Sequence, residues 1–318
     1  MYGSQSQFSQ ARLVLNCVAE LRRAKDTAEF FEGLPALEQQ LWVDDALRRL
    51  QVPSPEDNVP YICLLDSGIN RGHAMLAPVL HQQDMHTVND AWGVNDTANH
   101  GTGLAGVAIY GDMIDALSST DAIEVGHRLE SVKLTPNYGA NVGDAKQHAY
   151  LFSSAVTRPE ILNGQRKRIF SSAVTATAYR DFGRPSAWSS MVDSLAVDAL
   201  AETPFPRLFV LSAGNIVDRD HWGNYPASLS VNQIHDPGQS WNALTVGAFT
   251  DKVELNEPEF IPVADQGALS PFTTTSMGWE PVWPFKPDVV FEGGNAAANT
   301  EFVDNFASLE LLTTSASS

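Results

Sequence analysis

The sequence has few cysteines, few basic residues and no long apolar run. Of its two cysteines, Cys17 lies in a helix-like segment and Cys63 in an apolar strand, which argues against a disulfide framework. Lysine and arginine number 20 against 38 acidic residues, a formal net charge of -18, so a phosphate-binding surface for nucleic acid is not expected. No run could span a bilayer, and the N-terminus lacks a targeting pattern. We therefore expect a cytoplasmic protein with neither nucleic acid nor membrane partners.

What the sequence does contain is apolar material arranged in alternating strand-like and helix-like segments. Hydrophobic residues make up 43% of the chain, enough for the core of a large α/β domain. Strands are predicted at Val59–Leu65, Ile123–Leu134, Arg207–Gly214, Ala243–Phe249 and Lys286–Gly293. Between two of them, Trp188, Met191, Leu195 and Ala199 share one face of a helix. This order predicts a three-layer α/β sandwich with a central parallel sheet.

A short helical segment precedes this domain. From Gln10 to Leu50 apolar residues recur at helical spacing, with a break at Gly33 and Pro35 that predicts two helices. The apolar positions are Leu13, Cys17, Leu21 and Ala24 in the first helix and Leu37, Leu41 and Leu47 in the second. The following stretch QVPSPEDNVP is typical of a linker. We predict a helical N-terminal segment over residues 1–51 and a main domain over residues 59–318.

An acidic residue ends the first predicted strand of the main domain. Asp66 follows the apolar stretch VPYICLL and precedes Ser67 and Gly68, so it lies at the carboxyl end of a buried parallel strand. Ligands gather at that edge of open α/β sheets, which makes Asp66 a candidate functional residue. An aspartate that starts a turn, with Gly68 supplying backbone freedom, explains the same residues equally well.

The second candidate, His100, begins the small-residue run HGTGLAGVAIYG. Gly101, Gly103 and Gly106 match the dinucleotide pattern G-x-G-x-x-G of a cofactor-dependent oxidoreductase, but that pattern requires an apolar strand upstream, where the sequence has WGVNDTANH. Close packing of a helix that leaves the imidazole accessible is the better explanation. Because a lone histidine is more often structural than catalytic, His100 alone does not establish a site.

The third candidate, Asn215, follows the predicted strand RLFVLSAG. An asparagine there could cap a turn, or its amide could donate a hydrogen bond to a developing oxyanion. Together, Asp66, His100 and Asn215 fall at strand or helix ends on one side of the predicted sheet.

The stretches LLDSGI, NHGTGLAG and VLSAGN resemble the aspartate, histidine and oxyanion-asparagine motifs of the subtilisin-like serine peptidases, in that family's chain order. The similarity runs from about Val59 to the end. WNALTVGAFTD, GALSPFT and FKPDVVFEGGN resemble later family segments, whereas IFSSAVTA matches loosely, with Ala173 where many members have serine.

The resemblance implies hydrolysis of peptide or protein substrates without a cofactor or catalytic metal. It assigns His100 as general base and then general acid. Asp66 would orient the imidazole, and the Asn215 amide would bind the oxyanion.

The nucleophile that the resemblance implies, a serine in a Gly-Thr-Ser-x-Ala motif, is not in the sequence. The nearest stretch, LLTTSASS, lacks the glycine and has no helix after Ser315, and a strand similar to LLTT precedes the nucleophile motif in the family. We expect a peptidase domain whose serine lies beyond Ser318, so that the 318-residue chain is inactive and exposes apolar surface. The alternative is a pseudo-peptidase that acts as a binding module.

Overall fold

A computed structural model describes residues 27–137, 147–178, 181–201 and 205–316. The positions predicted for the first N-terminal helix, Leu13, Cys17, Leu21 and Ala24, lie outside the described residues. The helices are Ala28–Glu32 (α1), Ala36–Arg49 (α2), His100–Tyr110 (α3), Met113–Ser118 (α4), His148–Leu162 (α5), Ala187–Ala196 (α6) and Arg219–Gly223 (α7). Across the described ranges, every helix falls short of the length and apolarity needed to cross a membrane.

The strands divide between one large sheet and two small ones. They are Leu50–Gln51 (β1), Tyr61–Asp66 (β2), Leu80–Thr87 (β3), Ile123–Glu124 (β4), Arg128–Lys133 (β5), Arg168–Ser172 (β6), Leu208–Ser212 (β7), Leu244–Thr250 (β8), Ile261–Pro262 (β9), Ala268–Leu269 (β10), Val289–Glu292 (β11), Ala296–Ala298 (β12) and Val303–Asn305 (β13). The large sheet has the order β10-β8-β7-β6-β2-β5-β3, with β11 also paired to β8. All its pairs are parallel except β10 with β8, which confirms the predicted central parallel sheet.

Helices lie on both faces of this sheet. On one face, Phe152 of α5 and Trp188 of α6 pack with Phe209 of β7 in the largest apolar cluster. On the other face, Ala105 of α3 packs with Leu64 of β2. Since each strand alternates its side chains between the two faces, the near-continuous apolar strands serve both clusters. The predicted three-layer sandwich is confirmed.

The face that carries α3 is covered only in part. Beyond β2, strands β6, β7, β8 and β11 direct a continuous set of half-buried or exposed, mostly apolar side chains to that side. The set includes Ser171 and Ser212. Its apolar members, here called the open sheet face, are Ile169, Leu208, Val210, Leu244, Val246, Ala248, Val289 and Phe291. Leu208 is 45% exposed and Phe291 is 63% exposed. Parallel sheets are normally covered on both faces. Among the residues that the structure describes, no layer covers the open sheet face, in agreement with the expected apolar surface.

The described part of the N-terminal segment packs against the main domain. The break at Gly33 and Pro35 is confirmed, because α1 ends at Glu32 and α2 begins at Ala36. Leu47 lies against the cluster that α1 forms with α4 of the main domain. Leu37 and Leu41 do not, since they are 75% and 60% exposed. Trp42, Val43 and Ala46 provide the packing face instead.

Two predicted boundaries are wrong. The stretch predicted as one strand, Ile123–Leu134, is two strands, because β4 pairs with β1 outside the large sheet and β5 pairs with β2 within it. The predicted helix stops at Ala196 and does not reach Ala199. Asp198 has φ 48°, which a right-handed helix cannot contain.

The open sheet face generates a prediction about the 318-residue chain. We expect Phe291→Asp to reduce self-association and dye binding to apolar surface, because it places a charge at the most exposed large side chain of the patch, on its outermost strand β11. Its thermal stability should be nearly unchanged, since Phe291 is already largely in solvent. Leu37→Asp is the matched control at an exposed leucine away from the sheet. Light scattering that fell equally in both variants would contradict the assignment of self-association to this face.

Candidate active site

The end of β2 and the start of α3 meet at a carboxylate and an imidazole. Nδ1 of His100 lies 2.7 Å from Oδ1 of Asp66. The Asp66 side chain is buried, whereas the His100 side chain is 49% exposed. The backbone N–H of Ser67 donates to the same Oδ1 at 2.7 Å. The carboxylate is therefore fixed inside the protein, and the imidazole it holds is accessible from solvent.

Two glycines allow this close approach. A Cβ at Gly101 would overlap the carbonyl oxygen of Gly68 and would lie 3.2 Å from Oδ1 of Asp66. Gly68 has φ +92°, and a Cβ there would lie 2.5 Å from the carbonyl oxygen of Val94. A side chain at Gly101 would push α3 away from the β2 turn, and one at Gly68 would push that turn away from the backbone of Val94 and Asn95. The sequences DSG and HG thus bring the two functional groups together.

The remaining small residues of α3 contact the segment LLTT near the end of the chain. A Cβ at Gly106 would overlap Oγ1 of Thr313 and would lie 2.6 Å from Oγ1 of Thr314. The hydroxyl of Thr313 donates to the carbonyl oxygen of Gly103 at 2.6 Å. Close packing therefore accounts for Gly101 and Gly106 of the G-x-G-x-x-G pattern, whereas a Cβ at Gly103 would meet only ordinary contacts.

A second buried carboxylate, Asp96, lies beside the pair. Its Oδ1 accepts hydrogen bonds from the Ser67 hydroxyl at 2.9 Å and the Ala98 N–H at 2.8 Å. Its Oδ2 accepts from the Thr102 N–H at 2.8 Å and hydroxyl at 2.7 Å. Burial raises the pKa of Asp96, but these hydrogen bonds outweigh burial, so the pKa lies below its ordinary value.

The sequence analysis missed Asp96. The available signal was an acidic residue four positions before His100, in the polar turn that precedes a predicted helix, where carboxylates commonly cap backbone N–H groups.

The carboxylates around His100 favour its protonated form. The hydrogen bond with Asp66 raises the pKa of His100, burial lowers it, and the negative charges of Asp66 and Asp96 raise it further. The pKa therefore lies above the ordinary histidine value. A raised pKa means that the neutral imidazole, the form able to accept a proton, is gained only as the pH rises through this higher value.

Asn215 lies at the same edge of the sheet as Asp66. It follows the carboxyl end of β7, which is separated from β2 by β6. Its backbone pairs with Thr273 in an isolated bridge, and the residue is exposed. The structure thus brings Asp66 and His100 into contact and places Asn215 two strands away on the same side.

The segment after LLTT runs beside the start of α3. The Thr314 hydroxyl donates to the carbonyl oxygen of Thr102 at 2.6 Å. Ser315 donates through its hydroxyl to Oδ1 of Asn99 at 3.1 Å, and the N–H of Ala316 donates to the same oxygen. The chain at residue 316 therefore lies next to the residue that precedes His100.

A parallel sheet with helices on both faces and an oriented carboxylate–imidazole pair at its carboxyl edge defines a class of hydrolytic sites. The model of the subtilase family matches residues 57–318 of this sequence, and the chain belongs to that family of serine peptidases. No curated protein sequence matches the chain at a significant level.

Several solved structures of serine proteases are distantly similar. The CspB protease of Clostridium perfringens has 13% identity and a TM-score of 0.48, with 84% of each chain covered. The epidermin leader peptide processing protease EpiP of Staphylococcus aureus has 13% identity and a TM-score of 0.44, covering 97% of this chain and 76% of that one. A serine protease of Aeromonas sobria has 13% identity and a TM-score of 0.39, covering 68% and 34%. These similarities are too distant to add to the family assignment.

The place where the β2 turn (Asp66 to Gly68) meets the first turn of α3 is here called the crossing. The glycines at and near it give a prediction with an internal control. We expect Gly101→Ala to lower the free energy of unfolding by about 1–3 kcal/mol, because its Cβ must displace backbone atoms of Gly68. Gly103→Ala meets its nearest neighbour at 3.6 Å, an ordinary contact. We expect it to raise stability by about 0.5–1 kcal/mol, since alanine suits a helix better than glycine. Denaturant unfolding measures both, and effects of the same sign would contradict the packing described here.

Proposed function

We propose that this protein is an endopeptidase that cleaves peptide bonds with a triad of Asp66, His100 and a serine located beyond Ser318. The observation that carries the proposal is the 2.7 Å contact between a buried carboxylate and a half-exposed imidazole at the carboxyl edge of a subtilase sheet. A carboxylate in this position selects one tautomer of the histidine and one orientation of its ring.

The roles of the pair follow from the direction of the hydrogen bond. If the Nδ1–H of His100 donates to Asp66, Nε2 is the basic nitrogen and faces away from the carboxylate. Nε2 accepts the proton of the serine hydroxyl as that oxygen attacks the scissile carbonyl carbon. The same proton is then donated to the leaving amine, and a water molecule repeats the sequence on the acyl-enzyme. Asp66 stabilises the imidazolium that exists between the two transfers.

Asn215 is proposed as the oxyanion donor. A neutral amide can stabilise the negative oxygen of the tetrahedral intermediate without a charge that would alter the ground state. Its location at the carboxyl edge and its exposure support this role. Loss of one such donor typically reduces kcat by about 10²–10³-fold.

We place the missing serine at the start of a helix that covers the open sheet face. Two observations support this placement. The open sheet face and α3 lie on the same side of the sheet, so a helix packed there would be a neighbour of α3. The N–H of Ala316 donates to Oδ1 of Asn99, and Nδ2 of Asn70 donates to the Ala316 carbonyl at 2.9 Å. These two bonds hold the chain at Ala316 beside Asn99. Residues that follow would therefore begin close to His100.

The triad is tested on the product of the complete source gene. We expect Asp66→Asn to lower kcat about 10⁴-fold, because the imidazole loses its orientation, and His100→Gln to lower it about 10⁶-fold. Labelling by a fluorophosphonate probe, which reports an activated serine, should fall in parallel. Asp57→Asn is the control, since Asp57 is exposed and lies before the start of β2, at the opposite edge of the sheet. Robust peptide hydrolysis by the 318-residue chain alone would contradict the proposal, and full retention of function in both variants would favour a binding module.

The placement of the serine helix is tested by Phe291→Asp in the same complete protein. A helix over the open sheet face would bury residue 291, so the new charge should lower stability by more than about 2 kcal/mol and reduce activity with it. Leu37→Asp again serves as the control. Thermal unfolding measures the effect, and a Phe291→Asp protein as stable as the control would contradict a covering helix.

A further inference from the structure

The Asp66 carboxylate is held at one oxygen only. Its Oδ1 contacts His100 and accepts the Ser67 N–H. Its Oδ2 is buried and has no hydrogen-bond partner within the described part of the chain. The orientation of the carboxylate therefore depends on the position of Ser67.

Ser67 is in turn fixed by its side chain. The Ser67 hydroxyl donates to Oδ1 of Asp96 at 2.9 Å and accepts the N–H of Gly101 at 2.9 Å. One hydroxyl thus joins the residue after Asp66 to the residue after His100. Because the hydroxyl has a single proton, the acceptor Asp96 determines which way it points.

Asp96 also holds the helix that carries His100. The first N–H groups of a helix have no partner within the helix, and the N-cap residue Asn99 makes no side-chain capping bond. Asp96 accepts the N–H and the hydroxyl of Thr102, and through Ser67 it orders the partner of Gly101. Both halves of the crossing are therefore attached to the same carboxylate.

We propose that Asp96 is a positioning residue of the peptidase, which sets the geometry of the Asp66–His100 pair by tying the β2 turn to the first turn of α3. The proposal rests on the proposed function, but it also predicts a property of the His100 ring that needs no substrate. Asp96 itself has no place for substrate, because it is buried and each of its oxygens already accepts two hydrogen bonds.

The charged groups that face this crossing come from three elements. Asp66 lies on β2, Asp96 lies in the turn before α3, and Lys133 lies at the end of β5 in register with Asp66. The Lys133 ammonium is buried and donates to the carbonyl oxygen of Asn95 at 2.5 Å. Replacing Asp96 with a neutral residue removes one negative charge near His100, while the charges of Asp66 and Lys133 remain. It also loosens the Asp66–His100 pair, which weakens the hydrogen bond between these two side chains. Both changes lower the pKa of His100.

The first experiment is Asp96→Asn in the complete protein. Asparagine keeps the shape but has one acceptor oxygen, so an N–H of Ala98 or Thr102 loses its partner. We expect kcat to fall about 10- to 100-fold with KM unchanged, since a small displacement of the pair is costly. We expect the acid limb of the kcat profile to move to lower pH. The histidine ring signal that His100→Gln removes should titrate at lower pH in NMR spectra.

A second variant separates the effect of the hydrogen-bonded link between the β2 turn and α3 from the effect of the Asp96 charge. Ser67→Ala breaks the link between Asp96 and Gly101 without changing any charge. It should reduce kcat, with a smaller change in the His100 titration than Asp96→Asn produces. Asp57→Asn, which removes an exposed carboxylate at the opposite edge of the sheet, should leave both readouts unchanged.

The outcomes distinguish this proposal from the proposed function. If Asp96→Asn lowers stability but leaves kcat and the His100 titration at their wild-type values, Asp96 is only a helix cap and the proposal is wrong. If the wild-type protein shows no peptidase activity, the proposed function is wrong, while the His100 titration in Ser67→Ala, which changes no charge, still decides whether the link through Asp96 positions His100.

Discussion

The hydrogen bond between Asp66 and His100 is the contact on which the rest of the site depends, because it requires two segments that are distant in the sequence to lie in contact. The carboxyl end of β2 must meet the first residue of α3 with no side chain between them. Gly68 and Gly101 satisfy this demand by close approach of backbone to backbone. The same demand explains why the small residues continue along α3, where Gly106 meets the threonines of LLTT. A bulky helix in this place would separate the acid from the base.

The layer structure follows from the same crossing. With α3 seated on β2, one face of the sheet is occupied near the histidine and the rest of that face is open. The opposite face is covered over β2, β5, β6 and β7 by α5 and α6, which contribute aromatic side chains. Parallel sheets normally have both faces covered, and large apolar side chains are normally buried. Exposed valines and a phenylalanine on one face are therefore unusual for such a sheet. The uncovered strands are where we propose a further element, and Ala316, whose N–H donates to Asn99, lies beside the residue that precedes His100.

Sequence patterns predicted the parts of the fold that are strongly apolar. The strands around Cys63, Phe209 and Val246 were predictable because they are apolar runs that end in glycine or aspartate turns. Strand β3 was not, since LHQQDMHT is polar and forms a strand only through its pairing with β5. Helix α5 was also missed, because its serines, threonine and Pro159 obscure the helical period. The end of α6 could not be placed, as nothing local marks the positive φ of Asp198.

The candidate site divides in the same way. Asp66, His100 and Asn215 could be proposed from the sequence because each stands at the start or the end of an element, a position that the pattern of apolar residues reveals. Asp96 was not found, since its role depends on contacts with residues 29 positions before it and six after it, and such contacts exist only in the folded chain. Donation from Asn215 to an oxyanion depends on the distance between its amide and a bound substrate. Neither the sequence pattern nor the strand order contains that distance.

The charges of Asp66 and Asp96 act together on the protonation of His100, and the charge of Lys133 interacts with that of Asp96. Two carboxylates beside one imidazole keep the resting imidazole protonated to higher pH. In the proposed mechanism the same charges stabilise the imidazolium that forms during proton transfer. A resting imidazolium cannot act as a base, so more negative charge would not improve the site without limit. Lys133 carries a positive charge to the same place, where burial lowers its pKa and Asp96 raises it. A buried lysine is costly unless it is compensated, and here its charge offsets part of the field of Asp96. The buried hydrogen bonds of Asp96 can thus order the site while its charge remains partly balanced.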